Sequence, residues 1–232
     1  MRIHLFLIQI LLSTSLFPQF QPDFKSLSQK EIEYNIVEFE PEADAVILER
    51  IGQITVKNYG YEIKEKCRIK ILNEDGLKYA QQKWFYNPMY PKSNINLVHA
   101  ETINIENENI EISKVKNKYI KKTKLTEDNA SFTVNFPNAK VGSIIEYEVI
   151  IRQPNILFRY PWTFTKEIPS LETRVEFINE SPNDYDIILH GEKLTNKYKG
   201  DENGASVSLE NILSKKSNPK NLEQIEIIIK NL

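Results

Sequence analysis

Residues 61–72 sort into two chemical sets with a period of two. Tyr61, Ile63, Cys67, Ile69 and Ile71 fall on one side; Glu62, Lys64, Lys66, Arg68 and Lys70 fall on the other. An extended strand separates residues this way, because successive side chains point to opposite faces. The pattern predicts an antiparallel strand with one face in a core and the other in water. Asn73, Glu74, Asp75 and Gly76 follow, with glycine where a turn needs a positive φ. Similar alternation recurs through residues 43–169. Apolar stretches at 45–48 and 53–58 are divided at Gly52 and predict two short strands. Further strands are predicted at 81–86, 95–105, 110–115, 131–136, 143–153, 162–168, 171–179, 185–189, 206–212 and 225–229. The second and third of these read as a hairpin around Glu106, Asn107, Glu108 and Asn109. Many short strands punctuated by turns predict an all-β fold. The expected form is an antiparallel β-sandwich, immunoglobulin-like or a related two-sheet architecture, over residues 43–232. Residues 21–42 are polar and mixed and read as a linker or a short helix at 29–39.

The first 20 residues follow a different logic. Arg2 and His4 precede the run from Leu5 to Leu12, interrupted only by Gln9, and small polar residues come next. A positive start, a short apolar centre and a polar exit predict a secretory signal peptide. The run is shorter than the roughly 20 apolar residues that span a bilayer. Cleavage is expected between Ser15 and Gln21, and the product is expected in the periplasm, at the cell envelope or outside the cell. Export predicts an oxidising compartment, yet Cys67 is the only cysteine. No intramolecular disulfide and no multi-cysteine metal site can form. Thirty basic and 32 acidic residues give a net charge of −2, so no global field draws in nucleic acid.

Few side chains suggest chemistry. Cys67 shares the apolar set with Ile63 and Ile69, which predicts a buried thiol rather than an exposed nucleophile. His99 and His190 are the candidate general bases, and neither has a recognisable partner at ligand spacing. Lys114, Lys116, Lys118, Lys121, Lys122 and Lys124 form a basic run that reads as a solvated strand and loop. Trp84, Phe85, Tyr86 and Tyr90, with Pro88 and Pro91, form an aromatic strand end. Trp84, Tyr86 and Tyr90 are the candidate interaction surface, able to stack on sugars or anchor a partner. Alternation turns half of such a strand toward the core. No catalytic, cofactor-binding or metal-ligating set is predicted.

Several phrases together resemble a bacterial family, the domain of unknown function 3857. They are residues 43–48 (Ala-Asp-Ala-Val-Ile-Leu), 68–76 (Arg-Ile-Lys-Ile-Leu-Asn-Glu-Asp-Gly) and 98–102 (Val-His-Ala-Glu-Thr). The most specific runs from Phe136 through Pro137, Asn138, Gly142 and Ser143 to Glu146 and Tyr147; Trp162, Phe164 and Pro169 complete the set. The resemblance implies an N-terminal β domain that sits ahead of a transglutaminase-like domain in exported proteins of Bacteroidetes type. In the family that domain, with its Cys, His and Asp, comes next; it is absent from this sequence, so its thiol chemistry carries over to no residue here. The expected function is therefore an exported, non-catalytic accessory or interaction module. Its expected partner is an envelope protein or a transglutaminase-like chain. Two alternatives remain: a separated N-terminal part of a transglutaminase-like thiol hydrolase, and a carbohydrate-binding module.

Overall fold

A computed structural model describes residues 26–58, 60–90, 93–106, 109–154, 161–182, 185–191, 194, 199–201, 204–219 and 223–229. The signal-peptide reading and the tip of the 95–115 hairpin lie outside them. The described strands are β1 (Ala45–Lys57), β2 (Gly60–Ile71), β3 (Gln81–Tyr86), β4 (Asn94–Glu106), β5 (Asn109–Lys114), β6 (Ile120–Lys124) and β7 (Ala130–Asn135). The chain continues with β8 (Ile144–Gln153), β9 (Pro161–Thr163), β10 (Ser170–Asn179), β11 (Tyr185–His190), β12 (Lys199–Asp201), β13 (Gly204–Ile212) and β14 (Gln224–Ile229). One helix, α1 (Gln29–Glu33), precedes them, opened by a capping box between Ser28 and Glu31.

Eight strands form one large sheet in the order β12-β13-β10-β1-β2-β8-β4-β5. Two three-stranded sheets, β11-β14-β9 and β3-β7-β6, complete the all-β fold. A shared core joins all three. Ile54, Ile63, Cys67, Ile145, Tyr147, Val149 and Phe177 of the large sheet belong to the same cluster as Phe132 and Val134 of one small sheet and Trp162 and Ile225 of the other. The fold is thus sandwich-like, with the second layer divided in two. The pairing within the large sheet is antiparallel except between β1 and β10, where Ile47 lies beside Ser170 and Val56 beside Asn179.

Several expectations change. Gly76 takes no positive φ; it lies in a 3-10 helix over Glu74–Ala80, where a Cβ would collide with the Asp44 carbonyl, and the helix expected at 29–39 ends at Glu33. The stretches on either side of Gly52 are one 13-residue strand, β1. Gly52 does not break it; a Cβ there would collide with the Trp162 indole, so glycine makes room for the ring. The strand expected at 162–168 ends at Thr163. Most consequentially, the charged face of β2 is not wet. Lys66, Arg68 and Lys70 are all buried, because the segment ahead of β1 folds back over that face. Val37, Ala43, Val46, Leu48, Ile103 and Ile144 form a second core there, with Tyr34 and Phe39 against it. Lys70 Nζ donates to the Ile32 carbonyl at 2.8 Å, which ties the segment down beside α1.

Candidate functional site

Two charge networks occupy opposite faces of the large sheet. The inner one starts from a cross-strand row. Arg50 of β1 lies opposite Cys67 of β2, which lies opposite Tyr147 of β8. Glu65 stands two residues from Cys67 on the same face. Arg50 donates to Glu65 at 2.9 Å and to the Thr163 carbonyl at 2.8 Å. The Tyr147 hydroxyl donates to the other Glu65 oxygen at 3.0 Å. The Arg50 guanidinium sits 3.7 Å from the centre of the Trp162 ring, a cation–π contact in a dry setting. Trp162 meets Phe164 edge-on, and Trp84 meets Tyr147 the same way.

This environment sets the ionisation of its members. Burial alone would raise the Glu65 carboxyl, but the charges of Arg50 and Lys166 and the bonds from Arg50 and Tyr147 hold it at about 2. Burial, aided by the Glu65 charge, pushes the Cys67 thiol up to about 12. Burial and the Arg50 charge bring the Lys166 ammonium down to about 8. Cys67 is therefore a neutral thiol at physiological pH, far from the thiolate that nucleophilic chemistry needs.

The outer network is a grid on β2, β8 and β4. In register, Lys66 faces Glu148, which faces His99; Arg68 faces Glu146, which faces Glu101. Arg68 donates to Glu146 through Nε and to Glu31 of α1 through a terminal nitrogen, both at 2.6 Å. Lys66 lies 3.3 Å from Glu148. His99 Nε2 lies 3.3 Å from Glu101. Burial raises the Glu146 carboxyl; Arg68 opposes this and the Glu101 charge adds to it. Beside the grid, a cleft of about 670 Å³ opens between the α1 segment and the sheet, lined in part by Glu31, Tyr34, Phe39, Glu49, Arg68 and Glu210.

The residues singled out in the sequence scatter. Cys67 is buried, as its strand phase predicts. His99 gains carboxylate neighbours that the sequence reading did not assign to it. His190 is exposed at the end of β11, opposite Gln224. Trp84 and Tyr86 are half-buried and pack against the main core. Tyr90 is half-buried, while Phe85 and Met89 are the exposed apolar side chains nearby. The lysines divide: Lys114 ends β5, Lys116 and Lys118 lie in the connection, and Lys121, Lys122 and Lys124 are exposed on β6. Arg50, Glu65, Glu101 and Glu146 were missed. Two signals pointed to them: Glu65 interrupts the apolar phase of β2, and His99 and Glu101 share a strand face at spacing two.

No curated protein matches the sequence. Among solved structures, a protein of Parabacteroides distasonis described as a candidate protease superposes with a TM-score of 0.64 at 13% identity. The match covers 79% of this chain and 40% of that one, so the chain spans well under half of that protein's length. Leukotriene A4 hydrolase from Saccharomyces cerevisiae gives 0.41 at 11% identity, over 79% of this chain and 28% of that one. Legionella pneumophila aminopeptidase A gives 0.35 at 12% identity, over 82% and 22%. The last two scores are too low to bear on this chain. A family model, described as a domain of unknown function with solved-structure structure (DUF3857), matches residues 57–212. That span runs from the end of β1 to the end of β13 and takes in all of both charge networks except Arg50 and Glu31, and the chain belongs to the DUF3857 family.

Proposed function

We propose that the chain is an exported, non-catalytic accessory module of the periplasm or cell envelope, acting by contact with another envelope protein or a transglutaminase-like chain. One observation carries this reading. The inner network, which holds the sole thiol, is directed at itself: the Glu65 carboxylate accepts from both Arg50 and the Tyr147 hydroxyl beside a neutral, buried Cys67. A nucleophile needs access and a lowered pKa, and Cys67 has neither. Cell fractionation with intact-mass measurement tests export; a soluble cytoplasmic product that keeps Met1 would sink that part. Thiol-dependent hydrolysis of peptide substrates, abolished by Cys67→Ala, would sink the non-catalytic part.

A second reading rests on a specific likeness. The Parabacteroides distasonis protein is described as a candidate protease, and this chain spans only 40% of its length. The chain would then be the N-terminal part of a thiol hydrolase whose catalytic residues lie in another segment or chain. Sequencing the DNA that follows the Leu232 codon separates the two readings. A continuous frame encoding Cys, His and Asp motifs favours the second; its absence favours the first.

A further inference from the structure

We infer that His99, Glu101 and Glu146 form a binding site for a divalent transition metal of the zinc class on the outer face of the large sheet. One imidazole nitrogen and one oxygen from each carboxylate all lie within 4.8 Å of one another. Zinc bonds to such atoms at about 2.0–2.2 Å, so small side-chain rotations close the three onto one ion.

Three independent features build the site. The first is a backbone device. The β4–β8 register shifts between Leu97 and His99. Before the shift Ile95 and Leu97 face the core; after it Ala100 does. The extra residue reverses the alternation of β4 and places His99 and Glu101 on the outer face. Bulges recur where a strand must re-aim a side chain. The second feature is charge. Glu101 and Glu146 are directly opposed and both buried. Like charges in that position repel, and Arg68, the cation nearest Glu146, is also engaged by Glu31. Lys66 faces Glu148 and Lys114 faces Glu101 from the exposed edge. A divalent ion between the two carboxylates offsets the opposition. The third is support and access. The Arg68 Nε bond holds the Glu146 carboxylate in place, as outer partners of metal ligands do. The His99 side chain is 39% exposed, which admits an ion and leaves room for water at a fourth position.

The donor set selects the metal. An imidazole with two carboxylates suits zinc and its neighbours; calcium takes six to eight oxygens. The test is calorimetric titration of the purified full chain with zinc chloride, beside calcium chloride, with cobalt(II) absorption as a spectroscopic check. The expected result is one zinc per chain. His99→Gln and Glu101→Gln should each weaken zinc binding more than about tenfold, on the scale of metal-site lesions, and His190→Gln should not. Because His99 is half-exposed, His99→Gln is expected to keep its fold, checked by circular dichroism. The inference is overturned if wild type binds no zinc, if His99→Gln binds it as wild type does, if His190→Gln alone abolishes binding, or if calcium binds in preference to zinc.

Discussion

The two faces of the large sheet handle buried charge in opposite ways. On the inner face Glu65 meets Arg50 and the Tyr147 hydroxyl, with the Trp162 ring against the guanidinium. The Arg50–Glu65 pair is buried between β1 and β2, and Glu65 also accepts from the Tyr147 hydroxyl, while the Arg50 Nε has no partner among the described residues. On the outer face Arg68 is divided between Glu31 and Glu146, while Glu101 stands opposed to Glu146. That network is short of positive charge at its β4 end, and solvent reaches it through His99. Burial of charge alone thus separates nothing. What separates the faces is whether the sheet supplies the counter-charge. A closed network holds the fold, and an open one leaves a place for something else to bind.

The largest expected effect is on the closed face. Trp162 is 1% exposed and lies between Gly52 and Arg50. Trp162→Ala should cost about 3–5 kcal/mol, the range for truncating a buried aromatic, read from urea unfolding. Wild-type stability in this variant would break the assignment of Trp162 to the core.

Glu65→Gln comes next, because it leaves Arg50 buried without its counter-ion. Breaking such a pair costs about 3–5 kcal/mol. The acid limb distinguishes the faces further. The Glu65 carboxyl lies at about 2, below its ordinary 4.5. Its contribution is therefore complete above pH 4.5 and is lost as pH falls through about 2. Glu146 runs the other way: its carboxyl is raised, so protonation relieves it and stability is regained as pH falls. Glu65→Gln should flatten the loss of stability between pH 4.5 and 2; an unchanged acid limb contradicts the closed network.

Glu101→Gln should be mild. Removing one of two opposed carboxylates is expected to change stability by less than about 1 kcal/mol, with an increase favoured. A loss as large as that of Glu65→Gln would erase the contrast between the faces. Smallest of all, Lys122→Ala on exposed β6 should stay within about 0.5 kcal/mol in thermal melts.

The strands were legible because alternation is a local signal. Residues 61–72 announced β2, and Cys67 is buried where its phase placed it. The outer face was not legible. Lys66, Arg68 and Lys70 look solvated in sequence, and nothing in the polar stretch at 26–42 declares that it covers them. The β4 bulge was equally hidden, since one extra residue changes the facing of His99 without changing composition. The aromatic cluster shows the limit from the other side. Its strand was placed correctly at Gln81–Tyr86, but alternation alone does not say which half meets the core. Trp84 and Tyr86 do, and Phe85 points out.

The parallel pairing of β1 and β10 governs when the molecule can be finished. β1 meets β2 at once through a near-immediate turn, but its other edge stays open until the far side of the chain arrives: Ile47 waits for Ser170 and Thr55 for Ile178. Contacts so distant along the chain close slowly, because the loop must be ordered before it is rewarded. During that interval β1 presents an unpaired edge with apolar neighbours, the kind of surface on which chains stick to one another. Arrival of β10 seals the edge and carries β13 with it along their shared ladder. Within the large sheet the β1–β10 ladder thus joins the neighbouring strands that lie furthest apart along the chain.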